Sequence, residues 1–258
     1  MHENRFKKKL LADEELIGMF LNVPNPIIME IMLKAGFDFT IIDAEHAPFN
    51  PETIDQCTRT GDYCGLEPII RVHDNAPVYI QRAMDLLPAA ILVPQISSRE
   101  DAECAVQAAY FPPKGSRGLS PNIRFAGYGA DNTPDLTQRA NENACIICQV
   151  EGVEGMQNLD KILSVEDVDA IFIGPYDLSV SMGLPGELDH PRVEEKMKEI
   201  VSKARAYGKT VGTYCQNLEM AKKWRGAGIK YLTVGVDAAI IYEAFHDLVR
   251  SLRESQGY

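Results

Sequence analysis

Eight times along this chain a short run rich in Val, Ile, Leu, Phe and Cys is followed by a stretch with helical periodicity. That alternation is the mark of parallel βαβ units. The predicted strands cover residues 16–23, 37–44, 66–72, 89–96, 145–152, 169–178, 210–217 and 231–238. Most are nearly continuous in apolar residues, as expected where helices cover one face and a barrel interior fills the other. Eight such strands in 258 residues predict an α/β fold of the (β/α)8 TIM-barrel class, one domain spanning residues 1–258. Caps and N1 prolines open the intervening helices, as at Asn50-Pro51, Ser97-Ser98 and His190-Pro191, and Gly36, Gly208, Gly226 and Gly228 close them. One connection breaks the rhythm: a Pro/Gly-rich segment over 111–129 precedes a predicted helix at 134–143, and a loop of that length has a functional or contact role.

A net charge of -11 argues against nucleic-acid and anionic-membrane partners, since a carboxylate-rich surface repels phosphate polyanions. Lys7, Lys8 and Lys9 are followed by no apolar leader segment, and no run approaches the ~20 apolar residues of a membrane span, so a cytoplasmic protein is expected. The six cysteines lack the spacing of a disulfide scaffold. Cys145 and Cys148 form a CxxC within a strand, where residues three apart face opposite sides, which argues against a redox or zinc pair.

In a barrel of this class, chemistry gathers where strands end. Strand two ends in Asp43-Ala-Glu-His46, strand three in Arg71, strand five in Gln149-Val-Glu151 and strand six in Gly174-Pro-Tyr-Asp177. Glu151 could serve only its helix dipole, and Asp177 could be an N-cap. On consecutive strands ~4.8 Å apart, however, two carboxylates facing one cavity repel each other unless a proton or cation neutralises them. With no Cys or His nearby, a hard ion is expected: Mg2+ or Mn2+ ahead of Zn2+ or Co2+. His46 stands three residues after Asp43, a spacing that lets the carboxylate orient the imidazole as a base. Arg71 at a strand end calls for an anionic partner, either a substrate carboxylate or an enolate. His73, His190 and His246 read as incidental, and His2 as part of a frayed terminus. All thirteen lysines fall outside the strand interiors, which disfavours Schiff-base catalysis.

Six ordered segments, residues 36–48, 68–71, 92–94, 110–118, 149–151 and 171–179, resemble the HpcH/HpaI aldolase family of class II pyruvate aldolases. The resemblance covers nearly the whole chain. It implies reversible cleavage of a 4-hydroxy-2-oxo acid to pyruvate and an aldehyde through an enolate held at a divalent metal, in aromatic-compound or sugar-acid catabolism. It further implies Glu151 and Asp177 as metal ligands, Arg71 on the keto oxygen, and His46 with Asp43 moving the proton through a water. Gln149 would line the site, and backbone at Gly174, Pro175 and Tyr176 would hold the pyruvate carboxylate. Asp85 matches a carboxylate that reaches a neighbouring subunit's site. A homohexamer that exchanges a terminal helix, here 242–252, is also implied. Ala or Gly often stands in the family where this chain has Tyr176, and Phe49, Phe125 and Tyr128, on the aldehyde side, name no substrate. Oxaloacetate decarboxylation at the same site and a non-catalytic metabolite-binding barrel are the competing readings; the grouping of His46, Arg71, Glu151 and Asp177 counts against the second.

Overall fold

The computed structural model describes residues 3–131 and 133–254. Eight parallel strands close in sequence order: β1 (Leu16–Leu21), β2 (Phe39–Asp43), β3 (Glu67–Arg71), β4 (Ala90–Val93), β5 (Ile146–Val150), β6 (Ala170–Ile173), β7 (Thr210–Cys215) and β8 (Tyr231–Val236), with β8 pairing back onto β1. Each lies within its predicted range. Around them run α1 (Arg5–Leu11), α2 (Pro26–Ala35), α3 (Pro51–Cys64), α4 (Pro77–Asp85), α5 (Arg99–Ala109), α6 (Leu136–Asn143), α7 (Val153–Gln157), α8 (Leu159–Leu163), α9 (Pro175–Ser181), α10 (Pro191–Ala206), α11 (Leu218–Gly226) and α12 (Asp237–Glu254).

The predicted punctuation works as local chemistry requires. Asn50 Oδ1 accepts from the Thr53 N–H at 2.8 Å, and Ser98 forms a capping box with Asp101. His190, although outside any site, caps α10 through Nδ1. His73 packs against Tyr79, and His246 stacks on Tyr242. His2 lies outside the described residues.

Strand alternation divides the core into two shells. Phe20, Phe39, Ile41, Ile69, Leu92, Ile147, Phe172 and Tyr231 fill the barrel, whereas Ile42, Ile70, Ile91, Cys148 and Ile173 face the surrounding helices. Cys145 belongs to the inner shell and Cys148 to the outer, so this CxxC pair points in opposite directions. α1 closes the N-terminal end of the barrel, where Phe6 meets Phe39 and Tyr231 edge-on, each at 5.7 Å.

The connection between α5 and β5 lies at this same closed end, because α5 returns from the barrel mouth and β5 starts from the opposite rim. It carries its own small core of Phe111, Phe125, Leu136 and Ala140, and the buried Arg117 guanidinium stacks over Phe111 and Phe125 at 4.5 and 5.0 Å. Two residues expected on the aldehyde side are therefore placed elsewhere in this chain. Phe125 is core, and Tyr128 Oη accepts from Arg59 Nη1. Phe49 is buried in the outer shell.

Candidate active site

Continuing the inward register one step beyond the inner shell builds the mouth of the barrel. Above Ile41 comes Asp43, above Ile69 comes Arg71, above Ile147 comes Gln149, and above Phe172 comes Gly174. These residues, with His46 and Asp177, line a cavity of about 310 Å3. No lysine lines it among the described residues.

Arg71 is held almost completely. Its Nε donates to Asp43 Oδ1 at 2.9 Å and its Nη2 to Asp43 Oδ2 at 2.8 Å, with side-chain exposures of 9% and 2%. The Phe20 ring lies 4.7 Å beneath the guanidinium, and Glu45 Oε2 lies 3.2 Å from Nη1. Two of the five guanidinium N–H groups bond to Asp43, which leaves donors for a ligand.

This arrangement corrects one expectation. Asp43 does not orient the His46 imidazole; its side chain is engaged by Arg71 and accepts only the backbone N–H groups of Glu45 and His46, at 3.1 and 3.2 Å. β2 ends at Asp43, and the turn that follows swings His46 outward, where its side chain is 63% exposed and Nε2 is 3.8 Å from Glu45 Oε2. The partner of His46 is Glu45, a neighbour that the spacing from Asp43 does not single out. Burial raises the Glu45 carboxyl above its ordinary range against the opposing pull of Arg71 and His46.

Glu151 follows directly after β5 and is buried. Its Oε1 accepts from the Gln95 N–H at 2.9 Å, which Gln95 can present because it adopts a left-handed φ of 58° after Pro94. Its Oε2 accepts from Gln149 Nε2. Burial, reinforced by repulsion from Asp177 and Glu45, lifts the Glu151 carboxyl to about 7. Asp177 differs from its predicted position. β6 ends at Ile173, and Pro175 at N1 starts α9, so Asp177 stands in the first turn of a helix rather than at a strand end. Gly174 is needed for space, since a Cβ there would collide with Glu151 Oε2. Its N–H is committed to Val150 O at 3.4 Å and Pro175 has none, so Tyr176 and Asp177 carry the N–H groups of this turn that lack a helical acceptor.

Among the described residues, no group of three His, Cys, Asp or Glu side chains gathers at metal-holding range. The donor set is two carboxylates, Glu151 and Asp177, beside a buried Gln149 Oε1 that has no partner. Mutually repelling carboxylates and an orphaned carbonyl oxygen suit a hard divalent ion whose remaining positions go to ligand oxygens.

Asp85 lies apart from this cavity. It ends α4 at the opposite rim and pairs with Arg117 Nη2 at 2.6 Å. Asn22, Phe20, Tyr214 and Val236 also line the mouth and were missed in the sequence. Asn22 was identifiable, because it continues the register of Leu16 and Phe20.

A sequence profile of the HpcH/HpaI aldolase/citrate lyase family matches residues 16–244. The 4-hydroxy-2-oxo-heptane-1,7-dioate aldolase of Escherichia coli is 36% identical over 243 residues, 94% of this chain and 92% of the relative. A crystal structure of an HpcH/HpaI aldolase/citrate lyase family protein from Burkholderia cenocepacia J2315 superposes with a TM-score of 0.92 at 31% identity, covering 97% of this chain and 99% of that one. The citrate synthase SbnG superposes with a TM-score of 0.89 at 28% identity, covering 99% and 100% of the two chains.

Proposed function

Because this chain belongs to the HpcH/HpaI aldolase/citrate lyase family, we propose that it is a carbon-carbon lyase, a class II pyruvate aldolase that cleaves a 4-hydroxy-2-oxo acid to pyruvate and an aldehyde. The observation that carries this reading is the pairing of the buried Glu151 carboxylate with Asp177, beside the cavity that Asp177, Gln149 and Arg71 line.

Glu151 and Asp177 would hold a divalent cation, Mg2+ or Mn2+ by the hardness of their oxygens, with Gln149 beside it. When bound, the cation supplies Lewis-acid polarisation of the 2-oxo group. Arg71, fixed by Asp43, points its remaining N–H groups at the keto oxygen, which becomes negative as C3–C4 breaks. The first-turn N–H groups of Tyr176 and Asp177 receive the substrate carboxylate. His46 Nε2 takes the C4-hydroxyl proton through a water, and Glu45 at 3.8 Å stabilises the resulting imidazolium. The bonding pair passes to the C2 oxygen, the aldehyde leaves, and the His46 imidazolium returns its proton through water to C3, which yields pyruvate and the neutral imidazole.

The test is deuterium exchange into the pyruvate methyl group, followed by NMR with Mg2+ or Mn2+ and then with chelator. Metal-dependent exchange that Glu151→Ala abolishes supports the reading. No exchange under either metal would leave a binding barrel.

The assembly belongs to the same proposal. Tyr242, Phe245, Leu248 and Leu252 form an exposed apolar stripe on α12, whose first residue, Asp237, is its only buried one. The stripe supports exchange of this helix between subunits of a hexamer, in which the partner's site also receives Asp85; light scattering of the purified chain tests it. No helix among the described residues is long and apolar enough to cross a membrane.

A further inference from the structure

We propose that Asn22 reads the aldehyde half of the substrate and selects aldehydes bearing an uncharged hydroxyl, an inference that rests on the aldolase reading and refines it. Asn22 stands one residue beyond β1, on the inward face above Phe20, and lines the cavity. Its backbone is anchored: the Asn22 N–H donates to Asp237 Oδ1 at 2.8 Å, and the Val23 N–H donates to Asp237 Oδ2 at 3.0 Å. Asp237 is itself buried where β8 meets α12, so the exit of β1 is tied to the strand that closes the barrel.

The side chain, by contrast, is unsatisfied. Asn22 Oδ1 is buried without a hydrogen-bond partner, a state that costs stability unless a ligand supplies a donor. β1 lies across the barrel from β5, so Asn22 faces the half of the cavity opposite Glu151. If the 2-oxo acid occupies the β5–β6 side, the group beyond C4 falls against Asn22 and against the wall formed by Tyr176 and Tyr214, whose rings lie 5.9 Å apart.

Charge then sets the class. Arg71 is the only ammonium or guanidinium lining the cavity among the described residues, and it is already engaged with Asp43. A second carboxylate, such as that of the heptane-1,7-dioate named for the Escherichia coli relative, would find no free cation among the described residues that line the cavity. It would instead meet, in Asn22 Oδ1, an acceptor oxygen to which it has no proton to donate. A hydroxyl donates to Asn22 Oδ1 and completes it.

The experiment measures kcat/KM for addition of pyruvate to glycolaldehyde, acetaldehyde and succinate semialdehyde, with Mg2+ or Mn2+ present. The wild-type enzyme is expected to favour glycolaldehyde over succinate semialdehyde by at least about tenfold, the scale of discrimination a satisfied buried polar group provides. In Asn22→Ala the glycolaldehyde-to-acetaldehyde ratio is expected to fall about tenfold, a change that a purely structural loss, lowering both rates together, would not produce. Succinate semialdehyde matching or exceeding glycolaldehyde in the wild type overturns the proposal without recourse to any variant, and so does an unchanged ratio in Asn22→Ala. Absence of metal-dependent deuterium exchange into pyruvate would fell the aldolase reading itself, whereas exchange with an unaltered ratio removes only the role of Asn22.

Discussion

Asp43 grips Arg71 with both carboxylate oxygens, at 2.9 and 2.8 Å, in a pair almost wholly removed from solvent. The guanidinium is thereby fixed before any ligand arrives, and its position depends on a residue that need not touch substrate. Asp43→Ala removes the bidentate partner of a buried guanidinium and leaves it Glu45 alone, which should destabilise the protein by up to about 3 kcal/mol in urea denaturation. It should also lower kcat/KM by about a hundredfold, and Arg71→Lys, which lacks the bidentate fork, should not substitute for Arg71.

Gly174→Ala places a methyl group against Glu151 Oε2. Calorimetric titration with Mn2+ should show affinity weakened by about 10- to 100-fold. Thermal unfolding of the cation-free protein should move by only a few degrees.

If Glu151 holds the cation as proposed, binding should depend on pH. Its carboxyl is raised from 4.5 to about 7 in the folded protein, so folding takes up a proton between those values. The cation-free protein should therefore lose stability as pH rises from 4.5 to about 7, by urea midpoints at constant ionic strength. A cation held by Glu151 would displace the same proton, so Mn2+ affinity should tighten about tenfold from pH 6 to pH 8 and then level off. Equal affinity at the two pH values would show that Glu151 is not the group displaced.

The thiols offer a check on the packing. Burial pushes Cys57, Cys148 and Cys215 each up to about 12 and raises Cys145 well above the usual thiol range, while Cys64 and Cys104 are only partly covered. A thiol reagent at neutral pH should modify Cys64 and Cys104 first. The other four should react only after denaturation, and neither reductant nor zinc chelator should alter the fold.

The barrel was legible because its strands are buried on both faces and stand out as apolar runs. The site was legible only where strand parity still holds. Arg71 and Gln149 follow directly from alternation, and Glu151 stands at the next inward step beyond β5. Glu45 and His46 lie past the end of β2, where the turning backbone no longer fixes which way a side chain points; spacing alone gave His46 the wrong partner. The predicted sixth strand runs past the true end of β6 at Ile173, because the apolar pattern alone does not show that Pro175 opens the first turn of a helix. Phe125 and Tyr128 were assigned to the aldehyde side because nothing local reveals which rim a long connection folds onto.

The seal made by α1 has a consequence for how the chain reaches its native state. Phe6 rests on Tyr231, Leu10 O accepts from Thr210 Oγ1 at 2.9 Å, and Leu16 N–H donates to Lys230 O at 2.8 Å, so the segment ahead of β1 is held by β7 and β8, the strands farthest from it along the chain. Loop closure over some two hundred residues is slow compared with local helix formation. Until β7 and β8 are made, Phe6 and Leu10 lack the strands that shelter them, so closure of this end of the barrel waits on the far end of the fold.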